Sequence, residues 1–256
     1  MLHVLRRHPV PIEAHFEWVL VLTYALPEAA LRPLLSPGLV LDVWNGWGFV
    51  AIALVQTRAL RPAGLPARLG QDFFLSGYRV FTRLPLASGR TLRGLKILRS
   101  DTDRRLMAAF GNLLTHYGYH RAQVRLGRTP DALDVRVVTP RRAADLQVAV
   151  QLGPAAAELP EGSPFDSWDT ARRFAGPLPH TFSYEPESQS MVVVRGVRQA
   201  WRPRPVRARV LDNTFFDSAC WLGSPPRLAS AFYLEDVAYR WERGWREPCL
   251  NGVVRV

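Results

Sequence analysis

Hydrophobic and polar positions alternate along most of this chain with the two-residue period of strands, not the 3.6-residue period of helices. The runs VLVLTYAL (19–26), LVLDVW (39–44), FVAIALVQT (49–57), FFLSGYRVF (73–81) and GLKILRS (94–100) are short and rich in β-branched or aromatic residues. HRAQVRL (120–126), LDVRVVT (133–139), LQVAVQL (146–152), SMVVVRGV (190–197), VRARVL (206–211) and SAFYLEDVAYRW (230–241) continue the series. Turn formers such as SPG, NGWG and ASGR punctuate it. So many short strands at this spacing predict a sandwich or barrel rather than a succession of βαβ units.

Helical patterns are few. PEAALRPLL (27–35) opens with proline in its first turn and stops at the SPG turn. The clearest helix is predicted over 101–118, capped by Asp101 or Asp103. Leu106, Met107, Phe110, Leu113, Leu114 and Tyr117 share one of its faces, and Gly118 ends it. SWDTARRF (167–174) is a third candidate, and GPAAAELPEGSP (153–164) reads as a loop. Residues 1–256 are expected to form a single domain, mainly β with a minority of helix.

The strand after the main helix carries a chemical question. Alternation from Tyr119 to Arg125 puts His120, Ala122 and Val124 on one face and Tyr119, Arg121, Gln123 and Arg125 on the other. His120 is therefore expected to face the apolar interior, as a satisfied core residue or as a functional group.

Composition narrows the function classes. Hydrophobic residues make up 48% of the chain, an ordinary globular fraction. The two cysteines, Cys220 and Cys249, have no metal-ligand spacing and read as free thiols of a reducing cytosol. No specific motif supports Cys220, in SACWLG, as a catalytic thiol. The apolar run WVLVLTYAL (18–26) is too short to span a bilayer and follows Glu13 and Glu17 rather than a basic leader, so a cytoplasmic protein without membrane contact is expected. A net charge of +11 raises nucleic acid as a partner. The arginines are spread along the chain, however, with only short clusters such as WRPRPVRAR (201–209) and no recognition motif. A solvated basic surface is the better account, and nucleic-acid binding ranks last. Phosphate loops, HExxH helices and Gly-x-Ser-x-Gly elbows are all missing, and no cofactor is expected.

The order of LPEAALRPLLSPGLVLDVWNGWGFVAIAL, a strand pair, GLKILRSDTD, a long helix and GYHRAQV resembles a family of uncharacterised bacterial proteins (YqjF-like) that is similar in fold to acetoacetate decarboxylase. The resemblance covers residues 16–125 and, more loosely, the stretch from SWDTARRFAGPLPHTFSYEP to WRPRPVRARV. It implies a strongly curved β-barrel with a few outer helices and a ligand cavity inside. The decarboxylases carry a Schiff-base lysine just after the long helix, in a Gly-aromatic-Pro-Lys-Lys segment. The matching Gly118-Tyr119-His120-Arg121 has neither lysine. The place comparable to a family glutamate falls near Leu75, with Asp72 out of register. Decarboxylation through an imine at the family position is thus excluded, and fold alone cannot carry the activity over.

Lys96 is the only lysine among 33 Lys and Arg residues. Either it reflects a sequence that writes its cations as arginine, or it is an amine kept for chemistry. It shares a strand face with Leu98, so both are expected to enter the cavity, where desolvation would favour a nucleophilic neutral amine. The opposing reading has Lys96 snorkelling to solvent at a barrel mouth. Arg79, among apolar neighbours in GYRVF, suits either bidentate contact with an anionic ligand or a structural ion pair. Glu185 and Glu187 read as a solvated strand end or a carboxylate pair, and Gly118 stands against joint metal ligation by His116 and His120.

The leading expectation is a cavity that binds a small anionic or carbonyl-containing molecule. His120 would act as acid/base or polar anchor, with Arg79, Leu98, Tyr119 and Arg121 as ligand-binding positions. The alternative is a lyase or aldol-type enzyme using Lys96 as Schiff-base nucleophile. The apolar C-terminal run AFYLEDVAYRW makes a homo-oligomer plausible.

Overall fold

A computed structural model describes residues 2–153, 158–176, 178–199, 201–218, 221, 223 and 225–249. Cys220 and residues 154–157 of the expected 153–164 loop lie outside the described residues. A one-turn helix, α1 (Leu2–Leu5), precedes the long strand β1 (Ile12–Pro27). The chain then passes through α2 (Glu28–Leu31) and the short β2 (Val40–Leu41) into three long antiparallel strands, β3 (Trp47–Pro62), β4 (Gln71–Pro85) and β5 (Thr91–Thr102). Helix α3 (Arg105–Leu114) and β6 (Tyr119–Arg121) follow, then β7 (Gln123–Arg128), β8 (Ala132–Val138) and β9 (Leu146–Gln151). After α4 (Trp168–Ala175) come β10 (His180–Glu185), β11 (Ser190–Arg198), β12 (Arg204–Pro205), β13 (Arg207–Asn213), β14 (Arg227–Trp241) and β15 (Trp245–Pro248). The architecture is mainly β with few helices, as the alternation predicts.

The larger sheet runs β12-β14-β1-β3-β4-β5-β10-β11-β15, and β11 also pairs with β14. The path from β14 through β1, β3, β4, β5, β10 and β11 therefore returns on itself. A second sheet, β13-β9-β8-β7, covers one side. Strands β1, β3 and β4 are consequently buried on both faces. Their outward residues, among them Leu20, Leu22, Leu54 and Phe74, pack on Leu133, Val135, Val148 and Val150 of the second sheet. Each such apolar side chain contributes roughly 1.5–3 kcal/mol when fully buried. Tyr78 joins the two layers, its hydroxyl donating to the Ala144 carbonyl at 3.1 Å. The ring interior is filled at one end by Phe49, Phe81, Phe165 and Phe174, and is lined further along by Phe16, Val19, Val55, Phe73 and Leu75.

The main helix is shorter than its pattern predicts. Asp101 and Thr102 end β5 instead of opening α3, because Arg99 chelates the fully buried Asp101 carboxylate. Asp103 accepts from the Phe74 backbone N–H at 2.8 Å, so it ties α3 to β4 rather than capping the helix. Tyr117 lies beyond the helix, which stops at Leu114. The third helix appears as expected, with the Ser167 hydroxyl accepting from the Thr170 N–H at 3.2 Å. Strand β14, which holds the run proposed for self-association, is paired on both sides, by β1 and by β11 and β12.

Candidate functional site

Three small residues open a chamber inside the ring. Ala51 and Ala53 on β3 stand opposite Arg79 and Gly77 on β4, and all four belong to the inward face. A side chain at Gly77 would place its Cβ 2.8 Å from a guanidinium nitrogen of Arg79, so the missing Cβ is the space that Arg79 occupies. The resulting cavity has a volume of about 480 Å³. Its walls are mainly apolar, including Val19, Val55, Phe73, Leu75, Ile97 and Met107.

Arg79 is the main charge in it. Its guanidinium makes no hydrogen bond and no ion pair among the described residues. The residue keeps some exposed surface, but to the cavity rather than to bulk solvent. Burial lowers its pKa from the usual arginine value, the clearest sign of a desolvated cation, while Tyr239, Tyr119 and Tyr117 oppose the shift. Arg198, at the end of β11, is a second cation, and Arg61, whose guanidinium donates to the Ala59 and Leu65 carbonyls, is a third. Arg198 lies over the rings of Trp201 and Tyr239, 5.1 Å and 5.6 Å from their centroids. Burial lowers its pKa too, and repulsion from Arg79 adds to the effect. Gly196 on the same strand admits the Tyr239 hydroxyl, which would lie 1.9 Å from any Cβ there.

Polar groups around these arginines are left unpaired. The Tyr117 hydroxyl is buried without a hydrogen-bond partner in reach, although Thr181 faces it. Burial pushes the Tyr117 pKa up, and that of Tyr119 up to about 12, so both are neutral donors at ordinary pH. Trp201 Nε1 and Thr57 Oγ1, both of cavity-lining residues, are likewise buried without partners. The N-terminal segment closes one side. The His8 backbone donates to the Leu114 carbonyl at 3.2 Å and accepts from Gly244 at 3.0 Å. Its ring is buried against the cavity with Nδ1 unpaired, and burial pulls its pKa down to about 4. Arg7 anchors this segment through a bidentate pair with the fully buried Glu185, at 2.8 and 2.7 Å.

The residues singled out from the sequence divide into two groups. Arg79 and Tyr119 line the cavity together. Lys96, Leu98, His120 and Arg121 are not among its lining residues. Lys96 pairs with Val80 on the reverse face of β5, where its amine donates to the Leu34 carbonyl and burial lowers its pKa. Leu98 packs into the core between the two sheets. The cavity-lining residues of β5 are Leu95, Ile97 and, past a register shift, Ser100, whereas the sequence places Lys96 and Leu98 there. His120, expected inside, is exposed, and the exposed Arg121 donates to the Asp103 carbonyl. The reason is local. Residues 119–125 are two strands in different sheets, separated at Ala122, so one alternation cannot run through them. Gly118, at φ +61°, then turns Tyr119 inward beneath Gly111, where a Cβ would meet the Tyr119 ring at 2.4 Å.

Glu185 is neither a solvated strand end nor paired with Glu187, which is exposed. Among the described residues no three His, Cys, Asp or Glu side chains converge as metal ligands. No described helix is long and apolar enough to cross a membrane. Sequence reasoning missed Arg198, Tyr117, Tyr239 and His8. Only Arg198 left a trace, as a cation ending the apolar alternation of SMVVVRGVR.

Comparison with solved structures places this arrangement in a known fold. The chain is similar to an acetoacetate decarboxylase from Legionella pneumophila, with a TM-score of 0.61 and 11% identity over 93% of this chain and 87% of that one. An acetoacetate decarboxylase-like enzyme from Sphingomonas wittichii RW1 gives 0.61 and 14% identity, over 95% and 94% of the two chains. The enduracididine biosynthesis enzyme MppR, complexed with pyruvate, gives 0.59 and 13% identity, over 93% and 90%. Identities this low show a shared fold and nothing finer. No curated protein sequence matches the chain. The family model DUF2071, described as an uncharacterized conserved protein, matches residues 13–237. With that much of its length matched, the chain belongs to the DUF2071 family, built on an acetoacetate decarboxylase-like fold.

Proposed function

We propose that this protein binds a small anionic molecule, with a carboxylate or similar oxyanion, inside a decarboxylase-like barrel. Arg79 is the anchor, Arg198 the second cation and the Tyr117 hydroxyl an additional donor. One observation carries the reading: a desolvated guanidinium lines a mainly apolar cavity with no acid among the described residues to neutralise it. Burying a charge without a partner costs several kcal/mol, which is recovered when a complementary charge arrives. Arginine presents a planar fork that a carboxylate meets with two parallel hydrogen bonds. The neighbour complexed with pyruvate, itself a carboxylate, supports the same ligand class.

Imine chemistry has less support. The family lysine position is occupied by residues that cannot form an imine. The amine of Lys96 is engaged by Leu34 across the strand from the cavity. A lyase mechanism would require that amine to leave its carbonyl and pass through its own sheet.

Binding of carboxylates and their neutral amides, followed by thermal shift and calorimetry, tests the proposal. Carboxylates should bind to the wild-type chain and lose at least tenfold in affinity with Arg79→Gln, about the worth of one charge-assisted hydrogen bond. Undiminished affinity in Arg79→Gln would remove the basis for it.

A further inference from the structure

Charge and apolar surface are segregated inside the cavity. Arg79, Arg198, Tyr117 and Tyr239 gather where β4, β11, β14 and the turn after α3 approach one another. Away from that cluster the wall is mainly apolar, with Val19, Val55, Phe73, Leu75 and Met107; it is interrupted by Thr57, Gln71 and Arg61, whose guanidinium donates to the Leu65 and Ala59 carbonyls. Three further apolar lining residues reach the surface: Leu69 is 63%, Phe110 55% and Val10 43% exposed. They mark an apolar mouth, so the chamber runs from a cationic head site to a greasy opening.

Size sharpens the point. At about 30 Å³ for each water-sized group, the cavity volume of about 480 Å³ holds roughly 16 of them. A short keto acid would cover the arginines and leave most of the apolar wall against water.

We infer that the ligand is an amphipathic monocarboxylate, an alkyl or aryl-alkyl acid of roughly eight to fourteen carbons by that volume. Its carboxylate sits on Arg79 and Arg198, and its tail lies along Val55 and Phe73 toward Leu69 and Phe110. The inference rests on the anion reading of the cavity and adds the substrate class. The missing acid partner explains the head group, and the mainly apolar wall together with the exposed leucine and phenylalanine explains the tail. Ala51, Ala53 and Gly77 are small where the chamber needs width.

Calorimetric titration of the full chain with acetate, butyrate, hexanoate, octanoate and decanoate tests the class, with octanol and octanamide as head-group controls. Affinity should rise about fourfold per methylene, corresponding to about 0.8 kcal/mol per buried CH₂, until the chamber is filled. Octanol and octanamide should bind at least tenfold more weakly than octanoate. If all the acids bind equally, the amphipathic class is wrong while the anion site stands. If octanol matches octanoate, the anion reading itself fails. Phe110→Asp, at an exposed position that tolerates charge, should weaken decanoate at least fivefold and leave butyrate unchanged. Decanoate affinity unaltered by Phe110→Asp would overturn the assignment of the mouth and the tail path with it.

Discussion

Replacing Arg79 with methionine should make the ligand-free protein more stable and at the same time disable it. The guanidinium lies in a mainly apolar chamber without an ion pair among the described residues, and burial already disfavours its charged form. Methionine keeps most of the aliphatic stem and removes the charge. The idealised cost of an uncompensated buried ion is far larger, but relaxation and cavity water bring the effective penalty to several kcal/mol. Because Arg79 keeps part of its surface open to the cavity, the low end applies, and a gain of about 1–3 kcal/mol is expected. For a chain of this length each kcal/mol moves Tm by roughly 2–4 °C, so Tm should rise by about 2–12 °C. On the binding side the loss of charge-assisted hydrogen bonds, about 1.5–3 kcal/mol, should weaken octanoate by roughly 10- to 150-fold. Calorimetric melting and urea unfolding measure the first effect, and isothermal titration the second. Opposite signs for stability and affinity are the mark of a residue kept for function at a stability cost. A fall in Tm of similar size would refute the reasoning, since it would mean that Arg79 holds the ring together.

Other positions give independent expectations. Gly77→Ala should move the Arg79 guanidinium, whose nitrogen lies 2.8 Å from the new Cβ, and weaken octanoate while leaving urea stability within about 1 kcal/mol. The Arg7 pair, with a smaller contribution from Ser188, holds the Glu185 carboxyl at about 2, below its ordinary 4.5. A depressed carboxylate pKa contributes stability above the unfolded value that is lost as pH falls through the folded one. Acid titration monitored by circular dichroism should therefore show on the order of 3 kcal/mol lost between about pH 4.5 and pH 2, and Arg7→Met should flatten that dependence. Asp42 is fully buried between Arg83, at 2.6 Å, and Arg93, so Asp42→Asn should cost about 3 kcal/mol in urea unfolding. Lys96→Met should keep octanoate affinity within about twofold, as expected for a site outside the cavity. Borohydride trapping with pyruvate should leave Lys96 unlabelled, and a stable adduct there would revive the lyase alternative.

Much of the scaffold is legible from residue order because strand alternation is local. The face of LSGYR that carries Leu75 and Arg79 follows from period two alone, but its inward direction is set by the fold, because Phe74, Tyr78 and Val80 make the opposite face equally apolar. His120 defeated the same argument, because the chain leaves one sheet for the other at Ala122 and the alternation restarts. Lys96 and Leu98 were assigned the wrong side of β5 since nothing local distinguishes a strand's cavity face from a face covered by a second sheet. Tyr239 was hidden differently. Pairing places Trp18 opposite Glu235 and Phe16 opposite Val237, and Asp236, at φ +56°, lies between. The head-group cluster joins residues 79, 117, 198 and 239, which only ring closure between β11 and β14 brings together.

A crystal structure of the full chain saturated with octanoate tests the central claim most directly. The account predicts carboxylate oxygens within hydrogen-bond distance of the Arg79 guanidinium and an alkyl chain along Val55 and Phe73. An empty chamber at saturating octanoate, or a carboxylate turned to the mouth with its tail against Arg79, would contradict it.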